Sequence, residues 1–295
     1  MIKQKKFVII DGNALLHRAF HALPPMTLKD GTLVNAVYGF TRMLLGVIEE
    51  LKPDYLAVAF DLPQPNFRHR LYVAYQYKRP AMDRELADQV NRVKQVVETL
   101  GIPIFTAPGF EADDVIGSLA RQAETAGVAT VIITGDRDMM QLAAGQTKLY
   151  FPERGLVDNQ LLGVKPAQVV DYKALVGDSS DNYPGVPGVG PKTAVSLLQK
   201  YQTLNNVYRH LDKIRPVVAK KLREGQESAW LSRKLAKIDT QAPAKLDLVA
   251  ARVHDYDQEK ARQLFEELQF RSLLAKLPGV SQATITKKDQ QMELL

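Results

Sequence analysis

The chain has 295 residues, of which 45% are hydrophobic and 24% charged, a balance typical of a globular protein with a substantial core. No apolar run approaches the roughly 20 residues of a membrane-spanning helix, no signal peptide opens the sequence, and the lack of cysteine excludes disulfides and thiolate metal sites. The net charge of +6, from 39 basic and 33 acidic residues, favours a polyanionic partner only weakly.

The first half of the chain alternates predicted strands and helices. Short β-branched runs predict strands at residues 7–12, 55–61, 102–107 and 128–136. Apolar residues at helical spacing predict helices at residues 35–51, 84–100 and 111–127. This alternation predicts an α/β fold whose mostly parallel sheet is flanked by helices on both faces.

From Lys165 onward the sequence predicts helices and no further strand. Residues 177–194, "GDSSDNYPGVPGVGPKTA", almost match a phosphate-binding P-loop. However, Pro191 interrupts the required spacing and removes a backbone N–H, and the preceding ten residues are predicted as a helix instead of a strand. We therefore predict a helix-hairpin-helix in which the N–H groups of Gly188 and Gly190 hold a phosphate of a nucleic-acid strand.

Nine acidic residues fall at the carboxyl ends of the predicted strands, or in the loop before the hairpin. Such strand ends meet at one edge of an open α/β sheet, where these folds bind ligands. Any one of the acids is explained as well by a helix N-cap, but three in one turn exceed what a cap requires. A rim of carboxylates without His or Cys favours Mg²⁺ or Mn²⁺ and suits two-metal hydrolysis of phosphate esters. The nine are Asp11, Asp61, Glu111, Asp113, Asp114, Asp136, Asp138, Asp178 and Asp181.

A basic and aromatic segment, "NFRHRLYVAYQYKRP", follows Asp61 and is expected to hang over the acidic rim. Its cations would attract phosphates, and its rings would stack on exposed bases. A surface loop whose aromatic side chains pack into the core is an equally good interpretation. The residues of interest here are Arg68, Arg70, Tyr72, Tyr75, Lys78 and Arg79.

Taken in order, six motifs resemble those of the 5′ nuclease domain of bacterial DNA polymerase I, in the flap-endonuclease superfamily. They are "DGNALLHRAFHALPP", "VAFD", "FRHRLYVAY", "GFEADDVIG", "TGDRDMMQL" and "ALVGDSSDNYPGVPGVGPKTA", and the resemblance covers about Phe7 to Leu277. It implies a monomeric, cytoplasmic, bacterial-type flap endonuclease and 5′→3′ exonuclease that acts on branched or nicked DNA, including RNA-primed DNA, with two Mg²⁺ ions, which Mn²⁺ can replace.

The resemblance also implies residue roles and domain limits. Residues 1–183 would form the nuclease core with a helical arch at about 62–84, residues 184–277 the DNA-binding helical region, and residues 278–295 a tail or linker. One metal group would comprise Asp11, Asp61, Glu111 and Asp113, and the other acids would complete the site. DNA contacts would come from Arg18, Phe20, Arg68, Arg70, Tyr72, Tyr75 and Gln76, and at the hairpin, beside a K⁺ ion, from Gly185, Gly188, Gly190, Lys192 and Thr193.

One position departs from the family's pattern. Gln76 stands where the arch usually carries a lysine that helps to activate the scissile phosphate, while Arg79 aligns and Lys78 comes two residues later. Lys78, with Arg79, is a candidate catalytic residue that could replace this lysine, although two helical residues rotate a side chain by roughly 200° and would point Lys78 elsewhere. We expect slower but not abolished cleavage. Two alternatives stay open: a PIN-type ribonuclease, and a protein that binds branched DNA without cutting it.

Overall fold

The structure is a computed structural model that describes residues 4–157, 162–253 and 256–278. All but the first residue of the predicted tail lies outside these described residues. None of the described helices is both long and apolar enough to cross a membrane.

A six-stranded sheet forms the centre of the molecule, in the order β3-β2-β1-β4-β5-β6. Every neighbouring pair is parallel except β5 and β6, which are antiparallel. The predicted mostly parallel α/β fold is confirmed, and all four predicted strands are present, although the third is reduced to two residues. The strands are β1 (Lys6–Asp11), β2 (Tyr55–Ala59), β3 (Ile104–Phe105), β4 (Ala129–Ile133), β5 (Thr147–Phe151) and β6 (Gly155–Leu156).

Twelve α-helices are described, and they include all five that the sequence predicts. After Leu156 the described residues contain no further strand, as expected. The helices are α1 (Gly12–Ala22), α2 (Asn35–Leu51), α3 (Phe67–Leu71), α4 (Arg84–Thr99), α5 (Ala112–Thr125), α6 (Val169–Val176), α7 (Pro191–Tyr201), α8 (Leu204–Arg209), α9 (Pro216–Glu224), α10 (Gln226–Ala236), α11 (Gln258–Glu267) and α12 (Arg271–Leu274).

Strand β1 shows how the sheet separates two hydrophobic cores. Phe7 and Ile9 face a core completed by α5 and by helices α6 to α10, whereas Val8 and Ile10 face a core completed by α1, α2, α4, α11 and α12. All four side chains are fully buried. A strand covered on both faces is continuously apolar, which is why "FVII" shows no polar alternation.

The predicted helical arch is helical only at its start. Helix α3 spans five residues, capped by the side chain of Asn66, which accepts hydrogen bonds from the backbone N–H groups of Arg68 and His69. Residues 73–78 form turns, and regular helix resumes only at Arg84. The helical rotation expected to turn Lys78 away therefore does not apply. Lys78 is exposed on a turn.

Candidate active site

Asp11, the last residue of β1, forms the buried centre of the acidic rim. Its Oδ1 atom accepts a hydrogen bond from the N–H of Ala14 at 2.9 Å and so caps α1. Its Oδ2 atom accepts one from Thr134 Oγ1, just beyond β4, at 2.8 Å. The two bonds fix the carboxylate between the ends of two adjacent parallel strands.

Asp61 lies two residues beyond β2 and connects this edge to the start of α5. Its Oδ1 atom accepts a hydrogen bond from the N–H of Ala112 at 2.7 Å. Its own N–H donates to Asn13 Oδ1 at 2.9 Å. The acids at the start of α5 are thereby held beside Asp61.

Six of the nine predicted carboxylates line a single cavity of about 410 Å³. They come from five separate stretches of the chain, which the fold gathers at one place. His17, Gln76 and Arg79 complete the wall. The six are Asp11, Asp61, Glu111, Asp113, Asp136 and Asp181.

The charge of this cavity is poorly balanced by the protein alone. Burial, followed by repulsion from neighbouring carboxylates, raises the pKa of Asp11 from 3.8 to about 7. Burial also raises the pKa of Glu111 to about 7, against the opposing effect of Arg68, and the pKa of Asp113 lies well above its usual value for the same first reason. Divalent cations would relieve this repulsion, and carboxylate oxygens suit Mg²⁺ or Mn²⁺.

The carboxylates around the cavity are not arranged as a ready-made metal site. Among the described residues, no group of three or more His, Asp or Glu side chains is placed so that it could hold a metal ion. Oxygen donors around a polar cavity nevertheless fit the predicted divalent cations in kind.

Asp138 and Asp178 lie beside this cavity without lining it. The ammonium group of Lys173, on α6, contacts both carboxylates. Burial raises the pKa of Asp138 to about 7. Burial lowers the pKa of Lys173, but the two acids raise it by more, so its pKa lies above the usual value. The sequence analysis missed Lys173, although its place on α6, five residues before Asp178, is a usable signal.

The prediction that Asp114 binds metal is corrected by its surroundings. Its side chain is fully buried and accepts four hydrogen bonds, two from Arg68 at 2.7 and 2.8 Å. The other two come from the N–H groups of Glu111 at 3.0 Å and Asp239 at 2.7 Å. A carboxylate offers about four lone-pair sites, so none of them remains for a cation.

Two arch residues predicted to contact DNA are also corrected. Arg68 is 2% exposed, and its guanidinium donates hydrogen bonds to Asp114 and to two backbone carbonyls inside the protein. Tyr75 is 3% exposed, and its hydroxyl donates to Asp181 Oδ2 at 3.1 Å and Glu111 Oε2 at 3.3 Å. Its ring is therefore unavailable for base stacking, and its hydroxyl orients two rim acids.

Gln76 lies directly against the rim. Its side-chain amide donates to Asp181 Oδ1 at 3.0 Å and Glu111 Oε1 at 3.3 Å. Its backbone has a φ of 54°, in the left-handed region, and its N–H donates to the carbonyl of Asp181 at 2.9 Å. Of the other predicted contacts in this segment, Tyr72 is half-buried, and Arg70, Lys78 and Arg79 are exposed.

Arg18 and Phe20 lie two residues apart on α1. Arg18 is exposed and forms an ion pair with Glu153 at 3.0 Å. Phe20 is half-buried, and its ring meets that of His21 edge-on at 5.2 Å. Arg18 is accessible to a phosphate, whereas Phe20 mainly contributes to packing.

The glycine-rich loop between α6 and α7 supports part of the predicted hairpin. Gly185 cannot offer its N–H to a phosphate, because this group donates to Ser232 Oγ at 2.9 Å. A Cβ at Gly185 would lie 2.3 Å from the nitrogen of Gly177, so its role is close packing at a positive φ. Gly188 and Gly190 are exposed, and the Gly188 carbonyl accepts a hydrogen bond from Lys221 Nζ at 3.0 Å.

A basic groove of about 300 Å³ opens beside this loop. Lys192 and Thr193, both predicted DNA contacts, line it together with three further cations that the sequence analysis missed. Those cations are Lys200, Lys213 and Arg215. They come from the last turn of α7 and from the residues just before α9, which only the folded chain brings together.

Three residues at the acidic cavity were also missed. Asn13 positions Asp61, Lys173 balances two acids, and His17 lines the cavity wall. Burial, with the charge of Arg79, holds the pKa of His17 below its usual value. An acid-only search could not find these neutral and basic side chains.

Two family models match the chain. The 5′-3′ exonuclease N-terminal resolvase-like domain covers residues 6–172, and the 5′-3′ exonuclease C-terminal SAM fold covers residues 164–259. DNA polymerase I of Chloroflexus aurantiacus is 42% identical in an alignment 293 positions long that covers 94% of this chain and 31% of that polymerase. The thermostable DNA polymerase I of Thermus thermophilus is 40% identical over 91% of this chain and 32% of its own length. The chain thus spans about a third of these curated relatives.

Solved structures agree on the fold. The T5 5′-exonuclease with bound zinc superposes with a TM-score of 0.69 at 18% identity, over 89% of this chain and 99% of that one. The catalytic core of Rad2 in complex with DNA substrate superposes with a TM-score of 0.61 at 16% identity, over 90% of this chain and 88% of that one. With both domain models matched in order and the sheet, rim and helical region in place, the chain belongs to the 5′-3′ exonuclease family of metal-dependent nucleases.

Proposed function

We propose that the chain is a structure-specific 5′ nuclease that hydrolyses phosphodiesters in branched or nicked DNA, with flap-endonuclease and 5′→3′ exonuclease activity. The observation that carries this proposal is the convergence of six carboxylates on one cavity at the carboxyl edge of the sheet. Polymerase I relatives at 42% identity support DNA as the substrate, and RNA-primed DNA is proposed on the same basis.

The rim residues would hold two divalent cations, Mg²⁺ or in its place Mn²⁺. Asp11, Asp61, Glu111 and Asp113 would form one group of ligands, and Asp136 and Asp181 would contribute to the other. Such cations lower the pKa of a water molecule and stabilise the leaving oxygen of the phosphodiester. Asp138 and Asp178 are proposed to act through their charge beside the rim, since Lys173 already contacts both.

The cationic side chains around the cavity would guide and orient the phosphate. Arg79 lines the cavity and is exposed, so it can balance charge that develops on the phosphoryl oxygens. Arg70 and Lys78 are exposed on the segment above it, and Arg18 lies on the adjacent helix. Together they would bring a 5′ strand over the rim.

A second DNA contact would lie at the glycine-rich loop and the basic groove. The N–H groups near Gly190, at the start of α7, would bind a backbone phosphate, with Lys192 and Thr193 beside them. A K⁺ ion is proposed at the hairpin, where Lys221 already places a positive charge against the carbonyl of Gly188. Contacts of this kind recognise duplex DNA without reading its sequence.

Gln76 is proposed to limit the rate. Its amide reaches Glu111 and Asp181 at the position where the resemblance expects a lysine. An amide donates hydrogen bonds but carries no charge, so it stabilises a developing phosphoryl charge less than an ammonium group does.

The test is incubation of a 5′-labelled flap duplex with and without Mg²⁺, with the cut mapped relative to the junction. We expect Mg²⁺-dependent cleavage near the junction, loss of cleavage in Asp113→Asn, and full activity in Asp88→Asn, which changes an exposed acid on α4. Faster cleavage of single-stranded RNA would favour a PIN-type ribonuclease. A gel shift of intact flap DNA in Mg²⁺ would favour a binding protein.

A further inference from the structure

Arg68 lies where the start of the arch meets α5 and the end of α10. It belongs to the largest fully buried side chains of the protein. Its Nε donates to the carbonyl of Leu235 at 2.8 Å, and its Nη2 donates to the carbonyl of Lys237 at 2.9 Å. These carbonyls belong to the C-terminal end of α10, so one side chain joins the arch to the helical region.

The remaining N–H groups of the guanidinium are directed at two acids. Nη1 and Nη2 donate to the two oxygens of Asp114 at 2.7 and 2.8 Å, and Nη1 also lies 2.9 Å from Glu111 Oε2. A guanidinium has five N–H groups, and four of them here donate a hydrogen bond, while Nη1 also forms the ion pair with Glu111. Arg68 is therefore committed to contacts inside the protein, although Arg70, two residues later, is exposed.

Charge explains why this arrangement matters for the rim. One guanidinium faces two carboxylates, and Asp114 accepts a bidentate pair of hydrogen bonds from its Nη1 and Nη2 atoms. Glu111 forms only an ion pair with Nη1, while its Oε1 atom accepts a hydrogen bond from Asn66 Nδ2 at 2.7 Å. Glu111 is therefore held in place but not neutralised, and its carboxylate still lines the cavity.

We propose that Arg68 is a positioning residue, which uses Asp114 as its counter-ion so that Glu111 is oriented toward the cavity while remaining available to a divalent cation. This inference rests on the proposed function of the cavity. It assigns the Arg68–Asp114 pair to the support of the metal site and removes both residues from the sets that contact DNA and metal.

A lysine cannot reproduce this geometry. Its ammonium group has three donors on a compact centre, whereas the planar guanidinium reaches Asp114 bidentately and two carbonyls on other edges. Arg68→Lys keeps the charge but must abandon part of this set, so Glu111 loses its fixed orientation. Residues that support metal ligands typically change metal affinity or activity by about 10–100-fold when substituted.

The first measurement uses titration calorimetry to determine the affinity of the full chain for Mn²⁺ in the absence of DNA. We expect Arg68→Lys to weaken Mn²⁺ binding about tenfold, at the lower end of the range for supporting residues. The matched control is Arg233→Lys, which alters another arginine–aspartate pair on α10, with Asp171 at 2.6 Å. It should leave Mn²⁺ affinity unchanged within about twofold, because it is not in contact with the rim acids.

The second measurement separates positioning from DNA contact. At saturating flap DNA, Arg68→Lys should lower kcat about tenfold and leave DNA affinity in EDTA unchanged within about twofold. Unchanged Mn²⁺ affinity and kcat, or a loss of DNA affinity alone, would overturn the proposal. If the unsubstituted chain does not cleave flap DNA, the proposed function fails while the Mn²⁺ titration still decides the role of Arg68.

Folding is controlled by melting each variant in EDTA. If Arg68→Lys does not fold, the double variant Arg68→Gln, Asp114→Asn removes both buried charges together, which proteins tolerate better than an unpaired one. The proposal predicts weakened Mn²⁺ binding in this variant as well. Affinity equal to that of the unsubstituted chain would show that Glu111 needs no guanidinium.

Discussion

The acidic cavity should make the metal-free protein less stable as the pH rises. The folded state raises the pKa of Asp11 from 3.8 to about 7, so between these values the unfolded chain ionises this group while the folded chain does not. Stability from this group is complete below about pH 4, falls as the pH rises, and levels off above about pH 7. Addition of Mg²⁺ at pH 8 should reverse the loss, because cations neutralise the ionised rim.

The magnitude follows from the size of the shift. Each pKa unit corresponds to about 1.4 kcal/mol, so the two units between pH 5 and pH 7 correspond to about 3 kcal/mol. The pKa of Glu111 is also raised to about 7, and this residue shares the same repulsion, so its contribution to the stability change does not simply add to that of Asp11. For a chain of this size 3 kcal/mol lowers the melting temperature by about 6 °C. Mg²⁺ at a hundred times its Kd would restore about 2.7 kcal/mol.

The assay is thermal unfolding in EDTA and in Mg²⁺ at pH 5 and pH 8, compared with Asp113→Asn. This variant removes the charge of one half-buried carboxylate with little change in its shape, so it should melt higher than the unsubstituted chain in EDTA at pH 8 and respond less to Mg²⁺. Asp88→Asn, on the exposed face of α4, should behave like the unsubstituted chain. The reasoning is refuted if the unsubstituted chain and Asp113→Asn show the same dependence on pH and Mg²⁺.

Three further predictions concern charges around the two sites. Gln76→Lys should raise kcat on flap DNA at saturating Mg²⁺ by several-fold, since it adds a charge beside Glu111 and Asp181. Lys78→Gln, which changes an exposed residue, should change kcat less. If Gln76→Lys turned over no faster, the proposal that Gln76 limits the rate would be contradicted. Lys173→Met should destabilise the protein in EDTA by about 3 kcal/mol, because it leaves the two partly buried carboxylates of Asp138 and Asp178 without a counter-charge. A melting temperature within 1 °C of that of the unsubstituted chain, on the order of 0.5 kcal/mol, would argue against the role of Lys173 as their counter-ion. Lys221→Met should make duplex binding depend more strongly on K⁺ relative to Na⁺, and an unchanged dependence would show that the lysine does not occupy the cation's position at Gly188.

The main features of the fold were predictable because local patterns agree with it. Three of the four predicted apolar strands lead into an acid, the predicted helices have amphipathic spacing, and all of these elements are present in the structure. Strand β5 was missed because "TKLYF" places an exposed lysine inside a short run, and β6 has only two residues, too few for any pattern. The segment predicted as a helical arch is helical only at α3, because it is rich in basic and aromatic residues and lacks a continuous apolar face.

The candidate site was predictable as a location more than as a set of roles. Parallel strands bring their carboxyl ends to one edge, so the meeting of Asp11, Asp61 and Asp136 follows from topology alone. No sequence pattern distinguishes Asp113, which lines the cavity, from Asp114, which is buried against Arg68. That difference depends on which face of α5 turns toward α10, a property of tertiary packing.

The two sides of the cavity differ in how firmly the fold fixes them. Asp11 continues the central strand, which is hydrogen-bonded to both of its neighbours, so the floor cannot move without breaking the middle of the sheet. Above it, Tyr75 and Gln76 belong to a segment of turns joined to Asp181 by hydrogen bonds and to Tyr183 by packing. Amide hydrogens of β1 should therefore exchange with solvent only on global unfolding, and those of residues 72–79 by local opening. Under the proposed function, a strand of DNA would be admitted from above while the carboxylates beneath keep their places.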